Sequence, residues 1–240
     1  MTRSPLTIQA AGRSDVGRER QNNEDRLVVV EPDEHDAGWI LCVADGMGGH
    51  PAGEEASGHV VELIAAFPRE EDLPDPGGDR GVKLARALAA TFERAHREVL
   101  AIGAGDPEKT GLGTTVVAAH LVEGELHVFH CGDSRCYLLR EEILEQLTSD
   151  HVVVDGGIRF LAAHVGMAEG FVLEHARRDL EPGDRILVCS DGLTDMVPAE
   201  VFGLALHEAP DPEQAVLTLV EMALLAGGHD NVSVAVAFVS

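Results

Sequence analysis

The chain has 240 residues, with 18 Lys+Arg against 42 Asp+Glu and a formal net charge of −24. So negative a chain repels nucleic-acid backbones and anionic membranes, while 45% hydrophobic residues supply the core that a disordered acidic chain lacks. The length is well above the size at which disulfides or a structural metal are needed for folding. Apolar runs of strand length open the chain at 6–11, 26–31 and 39–44. Helical periodicity follows over about 52–67 and about 79–102. In the second, Val82, Leu84, Ala85, Leu88, Ala89, Phe92 and Val99 keep one apolar face, and Lys83, Arg86, Glu93, Arg94 and Arg97 point away. Between these helices, 68–81 reads as a polar, loose connector. Strands are then expected at 114–122, 125–131, 135–140, 172–176 and 184–189, with Gly turns at Glu123-Gly124 and Pro182-Gly183-Asp184. A short helix at 198–206, a longer one at 212–226 and a strand at 232–239 complete the chain.

Consecutive hairpin-like strands predict antiparallel sheets, and the helices predict covering layers, so the class is α+β in layers. No composition shift divides the chain, which predicts one domain over 1–240. Cys42, Cys131, Cys136 and Cys189 form no Cys-x-x-Cys pair and sit in apolar runs, as core thiols of a reducing compartment do. No stretch reaches the length of a membrane span, and the N-terminus lacks the apolar region of a signal peptide. A cytoplasmic protein without membrane anchor or sensor domain is the expectation.

Four acidic clusters lie at strand ends: Asn23-Glu24-Asp25, Val43-Ala44-Asp45-Gly46-Met47-Gly48-Gly49, Ser190-Asp191-Gly192 and Gly228-His229-Asp230-Asn231. One Asp-Gly pair alone reads as an ordinary turn. Several carboxylates placed together by buried strands repel one another unless a cation lies between them. Oxygen donors without Cys/His ligand spacing select Mg²⁺ or Mn²⁺ over Zn²⁺. Spacing leaves the reaction open among phosphate-ester, nucleic-acid and peptide hydrolysis, and the net charge argues against a nuclease.

Ser14-Asp-Val-Gly-Arg-Glu-Arg-Gln-Asn-Asn-Glu-Asp25, Val43-Ala-Asp-Gly-Met-Gly-Gly-His50, Gly113-Thr-Thr115, Cys131-Gly-Asp-Ser-Arg135, Thr148-Ser-Asp-His151, Cys189-Ser-Asp-Gly-Leu193 and Gly228-His-Asp-Asn231 come in the order found in metal-dependent protein phosphatases of the type 2C class, the PPM family. The chain resembles a stand-alone bacterial member over about residues 6–239. The resemblance implies a four-layer α-β-β-α sandwich with two central antiparallel sheets, and hydrolysis of phosphoserine and phosphothreonine in proteins by a metal-activated water. It implies two Mn²⁺ or Mg²⁺ ions, with Asp45 bridging them, the Gly46 carbonyl on the first, and Asp191 and Asp230 on the second. Glu24 and Asp25 match acids that act through water, Asp25 also as the group that orients or deprotonates the nucleophile. Asp133 matches a ligand, with Asp191, of a weaker third metal, and Asp195 is a candidate to assist. Arg20 matches the arginine that grips the substrate phosphate, for which a guanidinium fork is suited. The implied partners are phosphoproteins and a cognate Ser/Thr kinase, with no nucleic acid, no membrane and a monomeric chain.

Two departures stand out. Met47 occupies a position where many eukaryotic relatives carry a histidine proposed as general acid, leaving His50 as a distant candidate. Between Asp150-His151 and Val165-Gly166-Met167 only residues 152–164 intervene, so the flap of the family, at about 151–166 here, is shortened or rebuilt. It could reshape substrate selection and third-metal binding, or be a short helix closing the site edge. Two alternative functions share the fold: a regulatory binding module, which would be expected to lose a ligand residue, and a hydrolase of small phosphate esters.

Overall fold

The computed structural model describes residues 6–32, 38–47, 52–67, 79–109 and 111–240. Strands β1 (Ile8–Asp15), β2 (Asp25–Val30) and β3 (Trp39–Met47) precede helices α1 (Ala52–Ala65) and α2 (Arg80–Gly105). A 3-10 turn at Pro107–Lys109 leads into β4 (Gly113–Thr114), β5 (Val116–Val122), β6 (Glu125–Cys131), β7 (Arg135–Arg140) and β8 (Ile143–Gln146). Next come β9 (Val152–Asp155), β10 (Ile158–Leu161), β11 (Glu174–Asp179) and β12 (Arg185–Cys189). The chain ends with α3 (Asp191–Thr194), α4 (Ala199–Glu208), α5 (Pro212–Leu225) and β13 (Val232–Val239).

Two antiparallel sheets form, in the orders β1-β13-β12-β7-β8 and β11-β6-β5-β3-β2, with β4 paired to β3. The alternation of side chains along each strand separates the core into three layers. Leu41 and Val43 of β3 and Val117 and Ala119 of β5 meet Ile186 and Val188 of β12 and Ala235 and Ala237 of β13 between the sheets. The intervening Ile40, Cys42 and Ala44 turn to the other face, against Val60 and Ile64 of α1 and Leu88 and Phe92 of α2. On the second sheet Leu187, Val234 and Val236 face Phe202 and Leu206 of α4 and Leu219 of α5. Strands buried on both faces therefore read as continuous apolar runs rather than alternating ones. The result is the expected four-layer α-β-β-α arrangement. All four cysteines are buried and free, as predicted. No helix among the described residues is long and apolar enough to cross a membrane.

The helix starts are chemically marked. Asp79 accepts a hydrogen bond from the Val82 N–H at 3.1 Å, and Asp211 one from the Gln214 N–H at 2.8 Å, with Pro212 in the first turn. Most expected elements are present with boundaries shifted by a few residues, the largest shift being the strand expected at 6–11, which runs Ile8–Asp15. Among the elements not anticipated are β8, β9, β10, the 3-10 turn and the one-turn α3. The short helix considered over 152–164 is corrected: 152–161 forms the hairpin β9–β10, paired Val152↔Leu161 to Asp155↔Ile158. Gly156 and Gly157 have φ of 59° and 84°, the two positive values a type I′ turn requires. Of the connector 68–81, residues 68–78 lie outside the described residues, as do Gly48, Gly49 and His50.

Candidate functional site

The acidic strand ends converge where the two sheets meet. In the β2–β3 ladder Asp25 stands directly opposite Asp45. Asp191 begins α3 immediately after β12, and Asp230 precedes β13, the neighbour of β12. Strand geometry thus fixes all four backbones before any side-chain contact is made. Asp25 is 1% exposed. Its Oδ2 accepts a hydrogen bond from the Ser190 hydroxyl at 2.7 Å, and Ser190 Oγ accepts from the Ser233 N–H at 3.0 Å. Its Oδ1 is buried without a hydrogen-bond partner. The Asp45 backbone is pinned by Thr115, whose Oγ1 accepts from the Asp45 N–H at 3.1 Å, and by Thr114, whose hydroxyl donates to the Asp45 carbonyl at 2.9 Å.

The carboxylates destabilise one another's charge. Burial, then the charges of Asp25, Asp191, Asp230 and Asp133, hold the Asp45 carboxyl well above its ordinary range. Burial pushes Asp25 up to about 6, with Asp230 adding to the rise and the Ser190 bond opposing it. Asp191 rises to about 7, first through burial and then through Asp133, Asp195, Asp230 and Asp25. Carboxylates this close, in all-oxygen surroundings and with a buried oxygen lacking any donor, fit a hard divalent cation. Such an ion supplies the positive charge that the inner cluster lacks.

Two devices lock the loops. Gly46 and Gly53 face each other closely. A Cβ on Gly46 would strike the Gly53 carbonyl and the Glu24 carbonyl oxygen, and one on Gly53 would strike the Glu24 carboxylate. The Glu24 carbonyl also accepts from the Ser57 hydroxyl at 2.5 Å. Asn231 uses its whole amide: its Oδ1 accepts from the Glu24 N–H at 2.8 Å, and its Nδ2 donates to the Val16 and Asn22 carbonyls at 2.9 and 3.0 Å. Arg20, on that loop, pairs with Asp230 (Nη2–Oδ2 2.6 Å) and remains half exposed, so the guanidinium sits at the mouth of the cluster.

The outer rim is built differently. Asp133, in the β6–β7 turn, and Asp195, after α3, act electrostatically on Asp191. Asp150 is held in a two-point pair by Arg135, at 2.9 and 2.7 Å. Arg159 of β10 reaches the same group of acids (Nη2–Asp150 Oδ2 3.2 Å, Nη2–Asp133 Oδ2 3.8 Å, Nη1–Asp195 Oδ1 3.9 Å). Nearby, the ligand atoms of His130, His151 and Glu174 lie within 4.8 Å of one another. The Gly132 N–H points at His151 Nδ1 at 3.2 Å, and His151 Nε2 lies 3.3 Å from Glu174. The Ser149 backbone already engages His130 Nε2 on both sides, its carbonyl at 2.9 Å and its N–H at 3.3 Å.

The structure thus brings Asp25, Asp45, Asp191 and Asp230 together, sets Glu24 and Arg20 against them, and puts Asp133 and Asp195 on the rim. The positioning roles of Ser190, Thr114, Thr115, Ser57 and Asn231 were not assigned from sequence, although all but Ser57 lie inside the seven motifs. Arg159 was not anticipated either.

The protein phosphatase 2C family model matches residues 12–221. The Serine/threonine protein phosphatase PstP of Mycobacterium tuberculosis is 36% identical over 99% of this chain, which spans 46% of that relative's length. The Serine/threonine phosphatase stp of Listeria monocytogenes is 29% identical, with 95% of this chain and 94% of the relative covered. A solved structure of the PstP catalytic domain, described as a complex with two manganese ions, superposes with a TM-score of 0.80 at 36% identity, covering 98% of this chain and 99% of that one.

Proposed function

Because the chain belongs to the protein phosphatase 2C family, we propose that it hydrolyses phosphoserine and phosphothreonine in proteins, with residues 1–240 acting as one catalytic unit and two Mn²⁺ or Mg²⁺ ions as cofactors. The observation that carries this reading is the Asp25–Asp45 cross-strand pair, with Asp25 buried and Asp191 and Asp230 beside it, four acids whose charges require a cation. Asp45, the Gly46 carbonyl, Asp191 and Asp230 would hold the core ions, Glu24 and Asp25 would act beside them through water, and Asp133 would serve an outer ion with Asp191. Cations held there supply Lewis acidity, polarising the phosphoryl group and making water more acidic.

The remaining chemistry belongs to the chain. The Asp25 carboxylate, with Oδ2 fixed by Ser190, has Oδ1 free to take a proton from the attacking water. Arg20 trades its bond to Asp230 for two phosphoryl oxygens and stabilises the charge that accumulates on them. The substrates are phosphoproteins, the opposing enzyme a cognate kinase, the chain monomeric and the setting the cytoplasm. Hydrolysis of p-nitrophenyl phosphate and of a phosphothreonine peptide, with and without Mn²⁺, tests the proposal. Both are expected to depend on metal; absence of metal-dependent turnover would sink it, and turnover of the small ester alone would point to small phosphate esters instead.

A further inference from the structure

In the sheet β1-β13-β12-β7-β8, the far side of the edge strand β8 meets no other described strand. The β7–β8 turn, Glu141-Glu142, has φ of 47° and 69°, the two positive values of a type I′ hairpin, which closes on the hydrogen-bonded pair Arg140↔Ile143. Bonded and non-bonded pairs alternate along an antiparallel ladder, and the Leu147 N–H bond to the Cys136 carbonyl, 2.8 Å, keeps the same phase. Leu139↔Leu144 and Tyr137↔Gln146 are therefore the non-bonded pairs, and the N–H and C=O of Leu144 and Gln146 point away from β7. Beside this open edge lies a groove of about 450 Å³ between β8 and α4. A Cβ on Gly203 would come within 3.1 Å of Leu144 Cδ2, so α4 packs close on β8, and Leu139, Leu144 and Leu204 give the groove an apolar lining. Leu204 is 57% exposed.

The charge around the groove is negative. Glu142 and Glu200 line it, and Glu141 is exposed beside Glu142. The arginines at this end are committed elsewhere: Arg140 holds Asp184 at two points, 2.7 Å each, and Arg178 pairs with Glu145 at 2.6 Å. His207, in the lining, stands 4.0 Å from Glu142. A second copy of the chain paired along β8 would set these glutamates against their own kind, which disfavours it. We infer that edge and groove together dock an extended segment of the substrate phosphoprotein, which adds to β8 as a further antiparallel strand. One apolar side chain of the segment fills the groove opposite Leu144. Lysine or arginine at the next positions on the same face, two residues on, meets Glu142 and Glu200. The Gln146 amide, at the other end of β8, donates to the Thr148 carbonyl at 2.9 Å and approaches Asp150 Oδ1 at 3.4 Å, on the acidic rim. Because β8 runs towards that rim, an antiparallel segment has its N-terminal side leading to the acidic cluster, so the phosphorylated residue precedes the docking segment. This docking role rests on the reading of the chain as a protein phosphatase, and binding of an unphosphorylated peptide tests it apart from turnover.

The probe is a fluorescein-labelled peptide, Thr-Thr-Leu-Thr-Lys-Thr-Lys, which puts leucine and both lysines on one face of a strand. Its binding to the full chain is read by fluorescence anisotropy. Wild type is expected to bind it, more weakly as salt rises. Leu204→Asp and the double variant Glu142→Lys/Glu200→Lys should each bind about tenfold or more weakly, the scale of leaving one leucine side chain unburied. An N-methyl group on the leucine nitrogen, which faces β8, should weaken binding by about tenfold, whereas one on a neighbouring threonine nitrogen, which faces away, should leave it intact. With phosphothreonine placed ahead of it through a glycine spacer, the same segment should lower KM relative to a phosphothreonine peptide without it, at equal kcat. Both variants should erase that advantage and leave p-nitrophenyl phosphate turnover unchanged. Equal binding by wild type and both variants, or equal loss from the two N-methyl peptides, overturns the inference. So does dimerisation of the free chain in sedimentation that Leu204→Asp abolishes, because the face would then belong to a second copy. Peptide binding as expected without hydrolysis of any phosphopeptide would instead overturn the phosphatase reading.

Discussion

The inner acids and the rim acids lie side by side, yet they are neutralised by different means. Asp25 is buried, Asp45 and Asp191 are half-buried, and all three have carboxylates for neighbours; the guanidinium of Arg20 pairs with Asp230 at the edge. Asp150 and Asp133 have Arg135 and Arg159 within reach, and the group that carries Arg159 is an exposed hairpin. The inner region is thus held rigid by backbone pairing and hydroxyl bonds while its charge is left uncompensated. The rim is compensated within the chain but held loosely. Rigid placement of unpaired charge suits a centre whose positive partner comes from outside, and loose placement of paired charge suits a part that moves.

The sharpest way to break this comparison is Asp45→Asn. It should remove metal-dependent turnover by more than the roughly 10–100-fold typical of losing a supporting partner, with the fold retained by circular dichroism. A loss smaller than that would mean that the inner acids are not the centre. Next in size, Ser190→Ala frees Asp25 Oδ2 and Gly53→Ala drives a methyl into Glu24. Each should lower kcat by about 10–100-fold with Arg20-dependent KM nearly unchanged; a pure KM effect would contradict the positioning roles given to them.

A third test uses pH. Asp25 near 6 and Asp191 near 7 lie above the roughly 4 of an unfolded carboxyl, so their folded forms favour the proton. The stability they lend is full below about pH 4 and is lost as pH rises through 7. The buried His127 and His130, lowered chiefly by burial, act in the opposite sense, favouring the fold above about 6.5. The gap in Tm between Mn²⁺-loaded and metal-free protein isolates the carboxylates, and it should widen from pH 5 to pH 8. A constant gap would show that the inner acids carry no unusual protons. The smallest effect belongs to the rim: replacing 152–161 by a short linker should change stability by about 1 kcal/mol or less and leave p-nitrophenyl phosphate hydrolysis intact. Loss of all turnover with metal still bound would make the hairpin part of the centre.

The legible parts of the fold are those whose strands are buried on both faces. Runs such as Ile40-Leu41-Cys42-Val43 and Leu187-Val188-Cys189 announce themselves by composition, and the acids at their ends could be read as one cluster. β8, β9 and β10 are four residues each and mostly exposed, so neither length nor alternation marks them. One signal for the hairpin was present: Gly156-Gly157, between Val152-Val153-Val154-Asp155 and Ile158-Arg159-Phe160-Leu161, is a two-residue turn sequence. The ion contacts of Arg159 had no such signal, since they join a hairpin tip to acids contributed by turns far along the chain. The work of Asn231 was equally hidden, because an amide serving three backbone groups at once is visible only when those groups are in place.

The pairing of β1 with β13, from Ile8↔Val239 to Asp15↔Val232, has a consequence for how the acidic site is assembled. Arg20, Glu24 and Asp25 are made early, whereas Asp230 and Asn231 are made more than two hundred residues later. A ribosome-bound chain that has not yet released residue 231 lacks both the clamp on the 16–24 loop and the acid opposite Arg20. The acidic centre therefore cannot be complete on a half-made chain, and the slow closure of so long a loop places its assembly among the last steps of folding.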